Sequence, residues 1–273
     1  MPAYGTEMLS RLIALAMALL PGFDTALAAG LTPETTQAFE RHIRAVEAQV
    51  DRRLASGQFL WLTEDTGRLQ SLRAGQILAE PAAQDAETPV PHGLIHDWLG
   101  AVFIPGVTLP NVISAVQDYD RHKVAYGPEV VDSRLLSRTG SDFHVYLRLR
   151  KKKVITVTLN TEHDVRYQPM DAARYRSRSY STRIAEVANA GSPGERELPV
   201  GEDHGFLWRL DSYWRFEERD GGVYVECEAV SLTRDVPAGL GWLIAPVIRD
   251  LPRESLTATL TSTRNYSLTF KKR

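Results

Sequence analysis

The sequence predicts an α+β fold, in which a curved antiparallel sheet of about six to seven strands wraps around a long C-terminal helix. Beyond residue 91, apolar and polar residues alternate in successive segments, which is typical of antiparallel strands with one wet face. Asp220 and Gly221 separate two such segments and indicate a tight hairpin. After residue 237 the apolar spacing becomes helical. An extra helix is expected near the N-terminus.

The first 28 residues have the features of a secretory signal peptide. Arg11 precedes an apolar run over residues 12–20, and small residues, Ala26 and Ala28, follow at the positions that a signal peptidase reads. The run is shorter than the roughly 20 apolar residues that span a bilayer. We therefore expect the mature protein to be periplasmic or secreted.

Residues 29–90 are predicted to form an N-terminal helical extension and a linker. Thr32 can cap a helix, Pro33 suits its first position, and Glu34 suits its positive end. Apolar residues then recur at helical spacing up to Leu54. The Ala-, Pro- and acid-rich residues 81–91 indicate a loop.

The domain over residues 91–273 begins with a strand at 92–104, which places Trp98, Val102 and Ile104 on one face. A helix is expected at 109–123. Further strands are expected at residues 130–137, 143–150, 154–167 and 175–187.

The hairpin around Asp220 and Gly221 has a register that can be counted from its turn. Three pairs lie opposite one another: Trp214 with Cys227, Phe216 with Val225, and Arg215 with Glu226. The first two pairs face inward, and the third is a complementary charge pair on the outer face. Beyond it, helices are expected at 240–250 and 253–266, with Pro246 and Pro252 at starts or kinks.

This order of elements resembles the START-related superfamily, also called SRPBCC, whose helix-grip fold occurs in polyketide cyclases and lipid-transfer proteins. The resemblance covers roughly residues 91–266. It is carried by Trp98 and Ile104 before Pro110, by the hairpin segments 213–216 and 220–226, and by the stretch from Pro237 to Pro252. It implies a cavity between the sheet and the last helix for hydrophobic molecules such as lipids, sterols or polyketides.

The side chains also favour a cavity, because small hydroxyl groups at Ser177 and Ser179 would stand opposite large aromatic side chains. The alternative is a solid core with those serines in solvent. The predicted ligand cavity consists of Trp98, Phe143, Val145, Leu147, Leu159, His163, Tyr175, Ser177, Ser179, Arg183, Phe206, Trp208, Leu210, Trp214, Phe216, Val225, Cys227, Trp242, Leu256 and Leu260.

No nucleophile, phosphate-loop, dinucleotide or metalloprotease motif occurs in the sequence. His92 and His96 would stand about 13 Å apart on a strand, so no metal site and no cofactor are expected. We expect a non-catalytic binding or carrier protein for a hydrophobic small molecule or lipid. One alternative is a cyclase/aromatase- or hydrolase-like enzyme that uses His163, Arg183 or Tyr175. Another is a structural or adaptor protein of the cell envelope.

The charge of the chain bears on its partners. A formal net charge of −2, without an extended basic patch, gives no reason to expect nucleic-acid binding. A row of Arg174, Arg176 and Arg178 shares one strand face. We expect that row to be a solvated surface. The alternative is that it makes peripheral contact with an anionic membrane.

Overall fold

The protein is described by a computed structural model that covers residues 30–83, 85–153, 155–235 and 241–270, without the side chains of 241–249. The helices are α1 (Pro33–Ala55), α2 (Thr66–Arg73), α3 (Leu109–Val116), α4 (His122–Ala125) and α5 (Gly241–Thr269), and short 3-10 helices span Trp61–Glu64 and Tyr119–Arg121. The strands are β1 (Ile77–Pro81), β2 (Glu87–Val90), β3 (Gly93–Pro105), β4 (Val130–Thr139), β5 (Asp142–Lys152), β6 (Thr156–Pro169), β7 (Arg174–Ala188), β8 (Arg196–Glu197), β9 (Arg209–Arg219) and β10 (Gly222–Arg234).

One antiparallel sheet organises the described residues. Its strand order is β1-β3-β10-β9-β7-β6-β5-β4, with β2 paired to β3 and β8 paired to β7, which makes ten strands. The predicted α+β fold with its C-terminal helix is confirmed, and the strand count is higher than expected. We call the face toward α3 and α5 the inner face, and the face toward α1 the outer face.

The N-terminal helix α1 forms as its sequence predicts. The Thr32 side chain accepts a hydrogen bond from the Thr35 amide, and Pro33 occupies the first turn. Its apolar stripe of Phe39, Ile43 and Val46 packs in one cluster with outer-face residues of β3 and β10. The sheet is therefore covered by helices on both faces.

A buried charge network attaches this N-terminal region to the outer face. Arg215 Nη1 donates to Glu226 Oε1 over 2.7 Å, and the Leu62 amide donates to Glu226 Oε2 over 3.2 Å. Arg53, near the end of α1, donates to Glu228 over 3.3 Å. Burial, followed by the nearby Asp97 charge, raises the pKa of Glu228 to about 7. The charge pair between Arg215 and Glu226 is confirmed, and it lies beneath α1 rather than in solvent.

The β9–β10 hairpin has the predicted register. Trp214 pairs with Cys227, Phe216 with Val225, and Arg215 with Glu226. Asp220 and Gly221 both have positive φ, which a type I′ turn requires.

The C-terminal helix differs from its prediction, because α5 is continuous from Gly241 to Thr269. The helix continues through Pro252 even though a proline removes one backbone amide donor from the helical hydrogen bonds. Its Leu256 and Leu260 approach Gly100 of β3 closely: a Cβ placed there would lie 2.7 Å from Leu260 Cδ1. Glycine thus allows the helix to contact the sheet.

Two other predictions need correction. The expected loop at 81–91 contains β2, which pairs with Gly93–His96 to form a short hairpin. Pro89 is tolerated there because β2 pairs only with β3. The helix expected at 109–123 is divided into α3, a 3-10 turn and α4. The predicted signal peptide falls outside the described residues. None of the described helices is long and apolar enough to cross a bilayer.

Candidate functional site

The inner face of the sheet carries the apolar cluster that the sequence predicts. Ten of the predicted cavity residues lie together there: Trp98, Phe143, Val145, Phe216, Val225, Cys227, Leu256 and Leu260 are buried, and Tyr175 and Trp214 are partly buried. The indole of Trp214 stacks on Phe216 with a centroid distance of 6.1 Å. Burial raises the pKa of the Cys227 thiol well above its ordinary value, which makes it a poor nucleophile.

Two adjacent rows of the inner face contain polar side chains among the apolar ones. In one row, β3 contributes His96, which is opposite Ser231 of β10. Farther across the sheet the same row contains Ser181 and His163, which pair between β7 and β6. The Leu210 amide of β9 donates to Ser181 Oγ over 2.9 Å, which links the β3–β10 part of this row to the β7–β6 part.

The next row contains the indole of Trp98 and two serines. Ala229 pairs with both Trp98 and Ser212, and Ser212 pairs with Ser179. The Trp214 indole donates to Ser212 Oγ over 3.1 Å. Small hydroxyl side chains therefore stand beside large aromatic side chains in this row.

His96 and Trp98 have unmatched polar atoms in this region. His96 is 0% exposed and Trp98 is 9% exposed. Neither His96 Nδ1 nor Trp98 Nε1 has a hydrogen-bond partner among the described residues. Burial lowers the pKa of His96 to about 4, so its imidazole is neutral at pH 7. The sequence placed His96 on the same face as Trp98 through their two-residue spacing, although only Trp98 was predicted as a cavity residue.

His163 is a second buried imidazole on the inner face. It lies 3.0 Å from Thr161 Oγ1, and that hydroxyl donates to the Leu147 carbonyl over 3.0 Å. Because the Thr161 hydroxyl donates its only proton to that carbonyl, it must accept from His163 Nε2. The other ring nitrogen of the neutral His163, Nδ1, is then an acceptor. Burial, with a smaller contribution from His144, lowers the pKa of His163 to about 4.

At the end of the inner face near α3, two buried tyrosine hydroxyls are hydrogen-bonded within the protein. The hydroxyls of Tyr119 and Tyr167 lie 2.7 Å apart, and Tyr167 also donates to the Val116 carbonyl over 3.3 Å. Burial raises the pKa values of both tyrosines. Sequence reasoning did not find this pair, because a contact between the 3-10 helix Tyr119–Arg121 and β6 depends on tertiary packing.

Arg183 was predicted to point into the cavity and does not. A register shift between Glu162 and His163 places an extra residue in β7, so the face of each later residue is reversed. Arg183 therefore lies opposite Glu162 on the outer face, where it forms an ion pair with Glu197.

Phe206 and Trp208 were also predicted as cavity residues, and both lie elsewhere. They precede β9, which begins at Arg209, so strand alternation does not fix their direction. Trp208 packs in the outer cluster with Phe39, and its indole donates to Asp203 over 3.0 Å. Phe206 is 38% exposed. The side chain of Trp242 lies outside the described part of the structure.

The remaining predicted residues share the inner face by register. Leu147 pairs with Thr161, and Ser177 pairs with Trp214. The others on this face are Leu159, Ser179 and Leu210.

A separate cavity of about 240 Å³ lies on the opposite side, between α1 and strands β7 and β9. Its lining includes Phe39, Ile43, Tyr180, Arg209 and Asp211. Burial raises the pKa of Asp211 to about 7. This is not the predicted location, and charged side chains, Arg209 and Asp211, stand beside the apolar ones in its lining. Within the described ranges, no group of three or more His, Cys, Asp or Glu side chains could hold a metal ion.

Comparisons with known proteins concern the fold. No protein-family profile matches the chain. No curated protein matches it either. Among solved structures, it is similar to the STAR-related lipid transfer protein from Xanthomonas axonopodis (16% identity, 66% of this chain and 99% of that one, TM-score 0.43). It is also similar to human STARD10 (13% identity, 76% and 80%, TM-score 0.44) and to the Zhui aromatase/cyclase from Streptomyces sp. R1128 (11%, 64% and 94%, TM-score 0.41). The likeness concerns the fold alone, and neither ligand nor activity follows from it.

Proposed function

We propose that the protein binds and carries a hydrophobic small molecule on the inner face of its sheet, beneath α5. The observation that supports this is the composition of that face. Aromatic side chains, Trp98, Trp214 and Phe216, stand beside small hydroxyl residues, and buried polar atoms there have no partner among the described residues. Covering such a surface with an apolar ligand is favourable by about 25 cal/mol per Å².

An enzyme is less well supported by the same geometry. The groups considered for catalysis were His163, Arg183 and Tyr175, and Arg183 lies on the outer face in an ion pair. His163 pairs with Ser181, which is six residues from Tyr175 on β7. At about 3.3 Å per residue, the two are separated by about 20 Å along the strand, too far for shared acid–base work.

An adaptor function through a free N-terminal helix is also less well supported. The apolar stripe of α1 is buried against the outer face, and Glu47 of α1 accepts hydrogen bonds from Arg178, Tyr180 and Tyr213. A helix held by both apolar and polar contacts offers little apolar surface to a partner.

We also propose that the carrier acts outside the cytoplasm, because residues 1–28 have the pattern of a signal peptide. Fractionation of cells that express the full chain tests this proposal. A processed protein in the periplasm or medium supports export, and an unprocessed cytoplasmic protein contradicts it.

Native mass spectrometry, followed by solvent extraction of the purified protein, tests the carrier proposal. We expect a co-purified apolar compound at up to one molecule per chain. In Ser179→Trp a large ring fills part of the inner face, and bound compound should fall several-fold. Ser137→Trp is the matched control, because Ser137 is exposed on β4. A carrier function is contradicted if neither extraction nor titration with apolar probes detects binding.

A further inference from the structure

We infer that the ligand is a neutral molecule with an apolar body and a hydroxyl group, and that His96 and Trp98 recognise the hydroxyl. This inference rests on the proposed function and specifies the ligand class. His96 Nδ1 and Trp98 Nε1 are buried on the inner face without hydrogen-bond partners among the described residues. Leaving such atoms unsatisfied costs about 1–3 kcal/mol each, and a ligand that pairs with them recovers that cost.

The hydrogen bonds around His96 determine what its free nitrogen can do. His96 Nε2 lies 3.1 Å from Thr233 Oγ1, and that hydroxyl donates to the Arg234 carbonyl over 3.2 Å. Since a carbonyl can only accept, the single Thr233 proton is used there. Thr233 must then accept from His96 Nε2, and Nδ1 of the neutral ring remains an acceptor.

Trp98 supplies the complementary group, because an indole nitrogen is only a donor. Same-face neighbours on a strand are about 7 Å apart, a distance that two long side chains can close toward one ligand group. A hydroxyl both donates and accepts, so it can satisfy His96 and Trp98 together. An ether or ketone can satisfy Trp98 alone.

The surroundings select against an anionic head group. None of the four side chains that the sheet register places beside His96 and Trp98 is positively charged: Glu87, Ser231, Pro81 and Ala229. Among these described neighbours a carboxylate or phosphate would find no cation, and burying an anion without one is strongly unfavourable.

Calorimetric titration of the full chain with three probes tests this inference: 1-decanol, decyl methyl ether and decanoate. We expect 1-decanol to bind about 3- to 10-fold more tightly than the ether, as one additional hydrogen bond allows, and decanoate to bind most weakly. Trp98→Phe should weaken the alcohol and the ether alike by a similar factor. His96→Phe should weaken only the alcohol and remove the preference between the two.

Trp208→Phe is the matched control, because it removes an indole N–H that is satisfied by Asp203 on the outer face. It should leave the alcohol preference unchanged. Circular dichroism checks that each variant folds, and Trp98→Phe, which keeps most of the ring, decides the outcome if His96→Phe does not fold. Equal binding of alcohol and ether, with no effect of Trp98→Phe, overturns the inference while the carrier proposal stands. If no probe binds at all, the carrier proposal fails as well.

Discussion

The two faces of the sheet bury polar groups in different ways. On the outer face, each charged residue of the buried network has an ionic partner within the chain: Arg215 with Glu226, and Arg53 with Glu228. On the inner face, Trp98 has no partner for its only polar side-chain atom among the described residues, and His96 lacks one for Nδ1. Arg53 Nε and Arg215 Nη2 of the outer network also lack a hydrogen-bond partner within the described part of the chain, but each guanidinium is held by an ion pair. Neutral polar groups left unpaired in an apolar surface are instead groups that a ligand can satisfy. We therefore expect the outer network to contribute mainly to stability, and the inner face remains the proposed binding surface.

The largest expected effect comes from a substitution that breaks the outer charge network. Arg215→Met leaves the fully buried Glu226 without its 2.7 Å partner, and the free energy of unfolding should fall by about 3–5 kcal/mol. Urea denaturation measures the change. A loss below about 1 kcal/mol would show that the network does not fasten the N-terminal region to the sheet.

The next effect concerns the buried histidines and the pH dependence of stability. The pKa of His163 is about 4 in the folded protein, below the ordinary value of 6.5, so the unfolded chain binds more protons between these values. Stability should therefore fall as the pH decreases from 6.5 to 4, with up to about 3 kcal/mol from this residue. His163→Gln should flatten that decline in urea denaturations at pH 7 and pH 4.5. An unchanged decline would contradict the assignment of a desolvated, neutral His163.

A smaller effect concerns the contact between α5 and the inner face. Gly100→Ala places a Cβ about 2.7–2.9 Å from the methyl groups of Leu260 and Leu256, and should cost about 1–3 kcal/mol. Leu256→Ala should cost less in the Gly100→Ala background than in the natural protein, because it removes part of the clash. Thermal unfolding of the two single variants and the double variant measures this coupling. Strict additivity would contradict a direct contact.

The smallest expected effect concerns Arg183, which tests the assignment of one side chain to the outer face. Arg183 forms a partly exposed ion pair with Glu197, so Arg183→Gln should change stability by no more than about 1 kcal/mol. Ligand binding should be unaffected, because the side chain is on the outer face. A substantial loss of ligand binding would indicate that Arg183 contacts the ligand, as the sequence predicted.

Where local rules decide, the sequence predictions agree with the structure. The Thr32 cap and Pro33 begin α1, and the turn at Asp220 and Gly221 sets the register of β9 and β10. Once that register is known, the direction of Trp214 and Phe216 follows from strand alternation. Much of the inner apolar cluster was predicted in this way.

The sequence by itself thus determined which strands alternate, how one hairpin pairs and where the N-terminal helix begins, because these depend on neighbours a few residues apart. Tertiary structure alone decided that the bulge in β7 turns Arg183 outward and that α1 covers the outer charges. It also decided that β10 pairs with β3, which brings Thr233 to His96 and leaves Nδ1 free. Contacts between residues more than a hundred positions apart depend on how the whole sheet closes, and no local pattern records them.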